Sequence, residues 1–142
     1  MQIALYKGPT GSSIRHFISH WAIRIWTWSK YSHAELVING ICYSSSVRDG
    51  GVRAKRINLD SGKWDVFDVP ATQSDVDYAL AWFAENQGAE YDWAGIKRFV
   101  VPFVRHDQDK WFCFEAVGDM LRLAGTHKLT ANDLAQWAVK YG

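Results

Sequence analysis

Apolar and polar residues alternate through much of the first half of the chain and recur at helical spacing through most of the second. Gln2–Tyr6 (QIALY) predicts a short strand, ended by Gly8-Pro9. Ser12 or Ser13 can cap a helix reaching about Trp28, with Ile14, Phe17, Ile18, Trp21, Ile25 and Trp28 on one stripe. Ile23 and Trp26 fall off that stripe, so this helix is expected to be buried on more than one side or to meet a partner. Ala34–Ile38 (AELVI) and Ile41–Ser46 (ICYSSS) flank Asn39-Gly40, the strongest short hairpin signal. Asp49-Gly50-Gly51 then turns into Val52–Ile57, and Lys63–Val69 gives one more strand, closed by Pro70. An antiparallel sheet of about five strands is expected.

Ser74 or Thr72 caps a predicted helix with Val76, Ala79, Leu80 and Phe83 on one face, ended by Gly88. Asp92 caps a short helix, Trp93–Val100, stopped by Pro102. Phe112–Ala124 reads as a helix stopped by Gly125. Thr130 with Asp133 starts a last helix bearing Leu134, Trp137, Ala138 and Tyr141. One strand, a helix, several strands and then helices make an α+β chain, expected to form a single domain over 1–142.

The hairpin fixes which side chains meet. A two-residue turn pairs Ile38 with Ile41, Val37 with Cys42, Leu36 with Tyr43, Glu35 with Ser44, Ala34 with Ser45 and His33 with Ser46. His33, Glu35 and Val37 then share a face with Cys42, Ser44 and Ser46, while Ala34, Leu36, Ile38, Ile41 and Tyr43 form an apolar face. A second two-residue turn extends this to the rows His33–Ser46–Arg53 and Glu35–Ser44–Lys55. A bulge at Gly51 would flip that second register. Arg53 and Lys55 read either as anion-holding residues beside a site or as a basic edge strand that resists aggregation.

Composition narrows the function classes. The 142 residues carry 16 Lys and Arg against 15 Asp and Glu, a formal charge of +1, which excludes a strongly basic nucleic-acid binder. Aromatic residues make up 15%, enough for a large core or for rings that line a site. Two cysteines make no disulfide framework, so Cys42 and Cys113 are expected as free thiols in a reducing compartment. No basic segment followed by a long apolar run opens the chain, and no run approaches a membrane span, so neither signal peptide nor transmembrane segment is expected. No CxxC, HExxH, phosphate loop or G-x-S-x-G is present. His16 and His20 are one helical turn apart, but nothing near them completes a metal set.

Cys113 and His33 are the residues with chemistry in reach. Cys113 lies in the first turn of its helix, where the dipole favours thiolate, and heads the apolar stripe Cys113, Ala116, Val117, Met120, Leu121, Ala124, which is expected to face the sheet surface that carries His33. Free cysteines are also among the most buried and inert residues. His33 begins a strand, and Glu35, two residues on, shares its face. A carboxylate in a strand that otherwise reads as core needs a partner, and His33 is a candidate.

Three segments together resemble a family. Tyr31–Ile38 (YSHAELVI) at a strand start, Tyr43–Ser46 (YSSS) on the next strand and Trp111–Glu115 (WFCFE) opening a later helix are similar to the circularly permuted NlpC-type, papain-like cysteine hydrolases. These include the YiiX-like group and, more distantly, the lecithin:retinol acyltransferase-like enzymes. In this permuted order the histidine precedes the cysteine, as it does here. Tyr91-Asp92 before a short helix adds to a resemblance that runs from Leu5 to about Leu134. It implies a permuted papain-like fold, Cys113 as nucleophile and His33 as base. Phe114 stands where such enzymes often carry a small residue. Their third, polar residue commonly lies on the strand after the histidine, where Ser44 and Ser46 stand. Glu35 is the stronger acceptor and is taken as the residue that fixes His33, with Ser46 and Ser44 as alternatives. Tyr31, Arg53 and Tyr91 are expected near the substrate. The resemblance implies no metal or organic cofactor. It implies acyl transfer on amide or peptide bonds, cell-wall peptides first, with lipid or thioester acyl groups as the alternative. A non-catalytic phage protein that uses the scaffold to bind a host factor is the competing class. Small proteins of tailed bacteriophages are the expected relatives, acting in the host cytoplasm, with membrane-surface contact possible.

Overall fold

The computed structural model describes residues 1–7, 30–90 and 111–141. Its five strands are β1 (Gln2–Tyr6), β2 (His33–Ile38), β3 (Ile41–Ser46), β4 (Gly51–Lys55) and β5 (Trp64–Asp68). They form one antiparallel sheet in the order β4-β3-β2-β1-β5. With the described helices this is the α+β class expected from the sequence. The predicted helices 12–28 and Trp93–Val100 lie outside the described residues.

β1 is central, paired on one side to β2 (Ile3 with Leu36) and on the other to β5 (Ile3 with Phe67). That place explains why four of its five residues are buried. Ile3 and Leu5 face a core shared with Ala34, Leu36 and Tyr43 of the sheet and with the helices. Ala4 faces the opposite way, into a smaller cluster with Val37 and Cys42, roofed by Ile57, Leu59 and Trp64.

The first hairpin forms as expected, with Asn39 at φ 50° and Gly40 at φ 75°, the backbone that a two-residue turn of matching twist requires. Its ladder joins Ile38 to Ile41, Val37 to Cys42 and Leu36 to Tyr43, and stops there. The expected pairs Glu35–Ser44, Ala34–Ser45 and His33–Ser46 do not form. Instead His33 and Glu35 stay on β1, opposite Tyr6 and Ala4, while Ser44 and Ser46 stay on β4, opposite Arg53 and Gly51. Each half-strand follows its outer neighbour, and β2 and β3 part at the end that carries His33.

The second turn corrects another expectation. Residues 47–50 form the loop, so Ser46 pairs with Gly51 and Ser44 with Arg53, and Lys55 sits opposite Cys42. The slip from the predicted rows is two residues. Because side chains alternate with a period of two, Arg53 keeps its face and moves one row nearer Glu35.

After the helices turn back, residues 88–90 run along the start of β4. Val52 N–H donates to the Ala89 carbonyl at 2.9 Å and Gly88 N–H to the Val52 carbonyl at 3.0 Å. Gly51, at φ 148°, bridges Glu90, and a Cβ there would collide with the Ala89 carbonyl oxygen. Only glycine suits both the backbone and the approach. Gly51→Ala is expected to destabilise the fold by about 2–3 kcal/mol, at the upper end of ordinary single substitutions, read as a lower urea midpoint. An unchanged midpoint would mean that residues 88–90 are not held against β4.

Helix α1 (Gln73–Asn86) starts at Thr72, whose side chain and Asp75 form a reciprocal capping box. It buries Ala79 and Trp82, whereas Leu80 of the expected face is exposed. Helix α2 (Cys113–Met120) is shorter than the predicted 112–124. Arg122 takes a left-handed conformation at φ 56°, its N–H bonds the Asp119 carbonyl, and Leu123 N–H bonds that of Gly118. These are the bonds of a Schellman ending, with arginine where glycine is usual. Helix α3 (Ala131–Tyr141) starts at the Thr130–Asp133 pair as expected and buries Ala131, Leu134 and Ala138. Among the described residues no helix is long and apolar enough to cross a membrane.

Candidate active site

α2 packs on the apolar face of β2 and β3, its Cys113, Ala116, Val117 and Met120 sharing a core with Leu36 and Tyr43. This corrects the expectation that its stripe faces the sheet surface carrying His33. By strand alternation His33 and Glu35 belong to the other face. Cys113 nevertheless acts on His33, raising the pKa of the imidazole. The parting of β2 and β3 explains how: where the ladder stops, the N-terminus of α2 reaches the histidine past the end of the paired region. Ser45, on the helix side of β3, donates from Oγ to the Trp111 carbonyl at 2.6 Å and fixes the chain two residues before the thiol.

The imidazole is held from its other side as well. His33 Nε2 lies 2.7 Å from Glu35 Oε1, which leaves Nδ1 for the thiol. Glu35 is wholly buried, and Arg53 grips it with a fork: Nη1 to Oε2 at 2.6 Å and Nη2 to Oε1 at 2.5 Å. Arg53 Nε in turn donates to Asp49 Oδ2 at 2.8 Å, and Lys55 Nζ shares that oxygen. Arg53 thus takes the place beside Glu35 that the predicted row gave to Lys55. The thiol, imidazole, carboxylate and guanidinium follow one another in a chain of contacts.

The two alternative third residues stand apart. Ser44 Oγ donates to the Ser45 carbonyl at 3.3 Å, Ser46 pairs in the β3–β4 ladder, and among the described residues neither hydroxyl bonds His33. Tyr31 is buried in the main core and its hydroxyl donates to Asp65 Oδ2 at 2.6 Å, so it braces β5 instead of facing a substrate. Arg53, also expected near the substrate, is occupied by Glu35 and Asp49. Tyr91 lies outside the described residues. Sequence reasoning missed the bidentate grip of Arg53. Its only signal was a cation at even spacing on the polar face, and the length of the second turn hid the row.

The electrostatics follow from these contacts. Burial acts to lower the His33 pKa, but the Cys113 and Glu35 charges and hydrogen bonds outweigh it and raise it to about 9. For Glu35 burial acts upward, and the His33 and Arg53 contacts overcome it, so the carboxyl stays below its usual range. Asp49 falls to about 2, burial opposing and the Lys55 and Arg53 bonds prevailing. A raised histidine stabilises the fold fully below its unfolded value near 6.5, and that contribution is lost as pH rises toward 9. A depressed carboxylate stabilises above its unfolded value near 4.5, and its contribution is lost as pH falls. Stability from these groups should therefore peak between about pH 4.5 and 6.5. Urea midpoints measured from pH 3 to 10 check this. His33→Ala should flatten the alkaline decline, and an unaltered decline would mean that another group causes it.

The first turn of α2 has no side-chain cap at Phe112. Among the described residues, no group of three or more His, Cys, Asp or Glu is arranged to hold a metal ion. No protein-family model matches the chain, and no curated protein matches it.

Proposed function

We propose that the protein is a cysteine-dependent acyl-transfer enzyme of the permuted NlpC-type, papain-like kind, hydrolysing amide or peptide bonds, cell-wall peptides first among them. The observation that carries this reading is the buried His33–Glu35 hydrogen bond, with Cys113 acting on the same imidazole. A thiol beside an imidazole held protonated at neutral pH is the pairing that thiolate catalysis uses. Cys113 Sγ attacks the carbonyl carbon, and the electron pair of the C=O bond moves to oxygen. N–H groups at the start of α2 stabilise that oxyanion. The C–N bond then breaks as His33 gives its proton to the leaving amine. A water that loses a proton to His33 attacks the thioester, releases the acid and restores the thiol–imidazole pair. Glu35 fixes the imidazole so that one nitrogen always faces the sulfur.

Incubation with wall-peptide amides and with lipid or thioester acyl donors tests the reading. Release of amine or acid, lost in Cys113→Ser, and an acyl adduct on Cys113 seen by mass spectrometry are the expected results. Turnover of acyl donors without amide cleavage would move the substrate to lipids or thioesters. Activity that survives Cys113→Ser would end the proposal. One observation favours a second reading: Cys113 is only 2% exposed, as a packed core thiol would be. In that case the chain is a non-catalytic phage protein using the scaffold to bind a host factor, and no acyl adduct forms.

A further inference from the structure

Glu35 is the residue from which this inference starts, because its two oxygens have more to satisfy than one imidazole can supply. A fully buried carboxylate facing only His33 would leave Oε2 without a donor, at considerable cost. Arg53 supplies Nη1 to Oε2 and Nη2 to Oε1, so the oxygen that accepts from His33 is shared with a second cation. Arg53 Nη2 also comes within 3.5 Å of His33 Nε2. Two cations thus flank one carboxylate, and Cys113 acts on the imidazole from beyond it. Asp49 holds the guanidinium in place from its Nε side, and Lys55 balances Asp49.

We propose that Arg53 is a positioning residue of the catalytic chain: it clamps Glu35 in the rotamer that meets His33 and offsets the carboxylate's charge, so that the Cys113 sulfur becomes the principal counter-ion of the imidazolium. The inference rests on the Cys113–His33 reading above. Arg53 touches neither sulfur nor substrate in this role and acts through Glu35. An unopposed Glu35 would hold the imidazolium proton for itself. A carboxylate already bonded to a guanidinium remains a good acceptor that fixes the ring, but its pull on the proton is weaker.

Electrostatics set the direction of the test. Removing a nearby cation raises the pKa of every group coupled to it, since anions lose support and cations lose a repulsion. The groups facing His33 are Tyr6 opposite it on β1, Glu35 on its own strand, Arg53 on β4 and Cys113 on α2. Those facing Arg53 are Glu35 and Asp49. Two variants remove the charge. Arg53→Met keeps the apolar stem, and Arg53→Gln keeps an amide able to donate to Glu35 and serves if the first does not fold. Arg53→Lys keeps the charge and loses the fork.

The probes are the His33 ring titration by NMR and the pH dependence of Cys113 alkylation by iodoacetamide. In Arg53→Met or Arg53→Gln both midpoints should move to higher pH by at least about one unit. In Arg53→Lys they should stay within a few tenths of a unit of the parent, while the labelling rate at neutral pH falls severalfold. A purely structural ion pair would lower the urea midpoint and leave both titrations in place, and that result overturns the assignment without touching the thiol–imidazole reading. If instead parent Cys113 resists alkylation, or labels at a rate that His33→Ala does not change, the underlying reading has failed and the role of Arg53 falls with it.

Discussion

Iodoacetamide at pH 7 should label Cys113 in the folded protein and leave Cys42 untouched, and His33→Ala should slow that labelling at least about tenfold. The two thiols are both free and both buried, so exposure does not separate them; their neighbours do. Cys42 sits on β3 among Ala4, Val37, Ile57 and Leu59. Burial first, and then the Glu35 carboxylate, push its thiol up to about 11. At pH 7 a group with that value is ionised in only about one molecule in 10⁴. Cys113 instead acts on an imidazole that stays protonated well above neutrality, and a cation beside a sulfur favours the reactive thiolate. Removing the ring removes the cation. Mass spectrometry of a digest locates the label. Cys113 that reacts only after denaturant is added would sink the catalytic reading.

Glu35→Gln should have the largest effect of any substitution that leaves both Cys113 and His33 in place. In a serine protease, loss of the carboxylate that orients the histidine costs up to about 10⁴-fold in rate, and a fall of that order is expected here in turnover of the acyl substrate. The same change removes the anion between His33 and Arg53. Breaking a buried pair costs about 3–5 kcal/mol. The low end is expected, because Arg53 keeps its bond to Asp49. Ser46→Ala should change turnover by less than about twofold, since among the described residues that hydroxyl does not bond His33. Turnover and urea midpoint measured on both variants separate the roles. Lost stability with spared turnover in Glu35→Gln would make Glu35 a structural ion-pair partner only, and a larger effect from Ser46→Ala would hand it the orienting role.

Much of the sheet was legible because its strongest signal is local. Asn39-Gly40 fixes the first register through backbone angles that few other residue pairs adopt, and from that register alone His33 and Glu35 fall on one face. The second turn was not legible. Asp49, Gly50 and Gly51 are compatible with several loop lengths, and the choice was made by the long-range approach of residues 88–90 to Gly51. The end of α2 was hidden for a similar reason. Glycine 125 advertises a stop, but Arg122 takes the left-handed position three residues earlier, beside Tyr78 and Asp75 of α1. Leu80 obeys the helical spacing of its neighbours yet ends up exposed, since α1 buries only its Ala79–Trp82 side, chiefly against α2. The contact between Cys113 and His33 was guessed from residue order, whereas its route depends on where the β2–β3 ladder stops, which no local pattern encodes.

The central place of β1 also orders events in time. β1 lies between β2 and β5, both later in the chain, and Met1 bonds residue 69 at both its amino group and its carbonyl. An apolar segment must therefore wait, with one edge open, until nearly half the chain has emerged. Contacts so distant in sequence slow folding and lengthen the exposure of unpaired strand edges. His33, Glu35 and Arg53 all belong to that early half, whereas Cys113 arrives with α2 after the sheet can close. The nucleophile is then the last part of the site to dock, and a nascent chain carries the ring, carboxylate and guanidinium before it carries anything for them to activate.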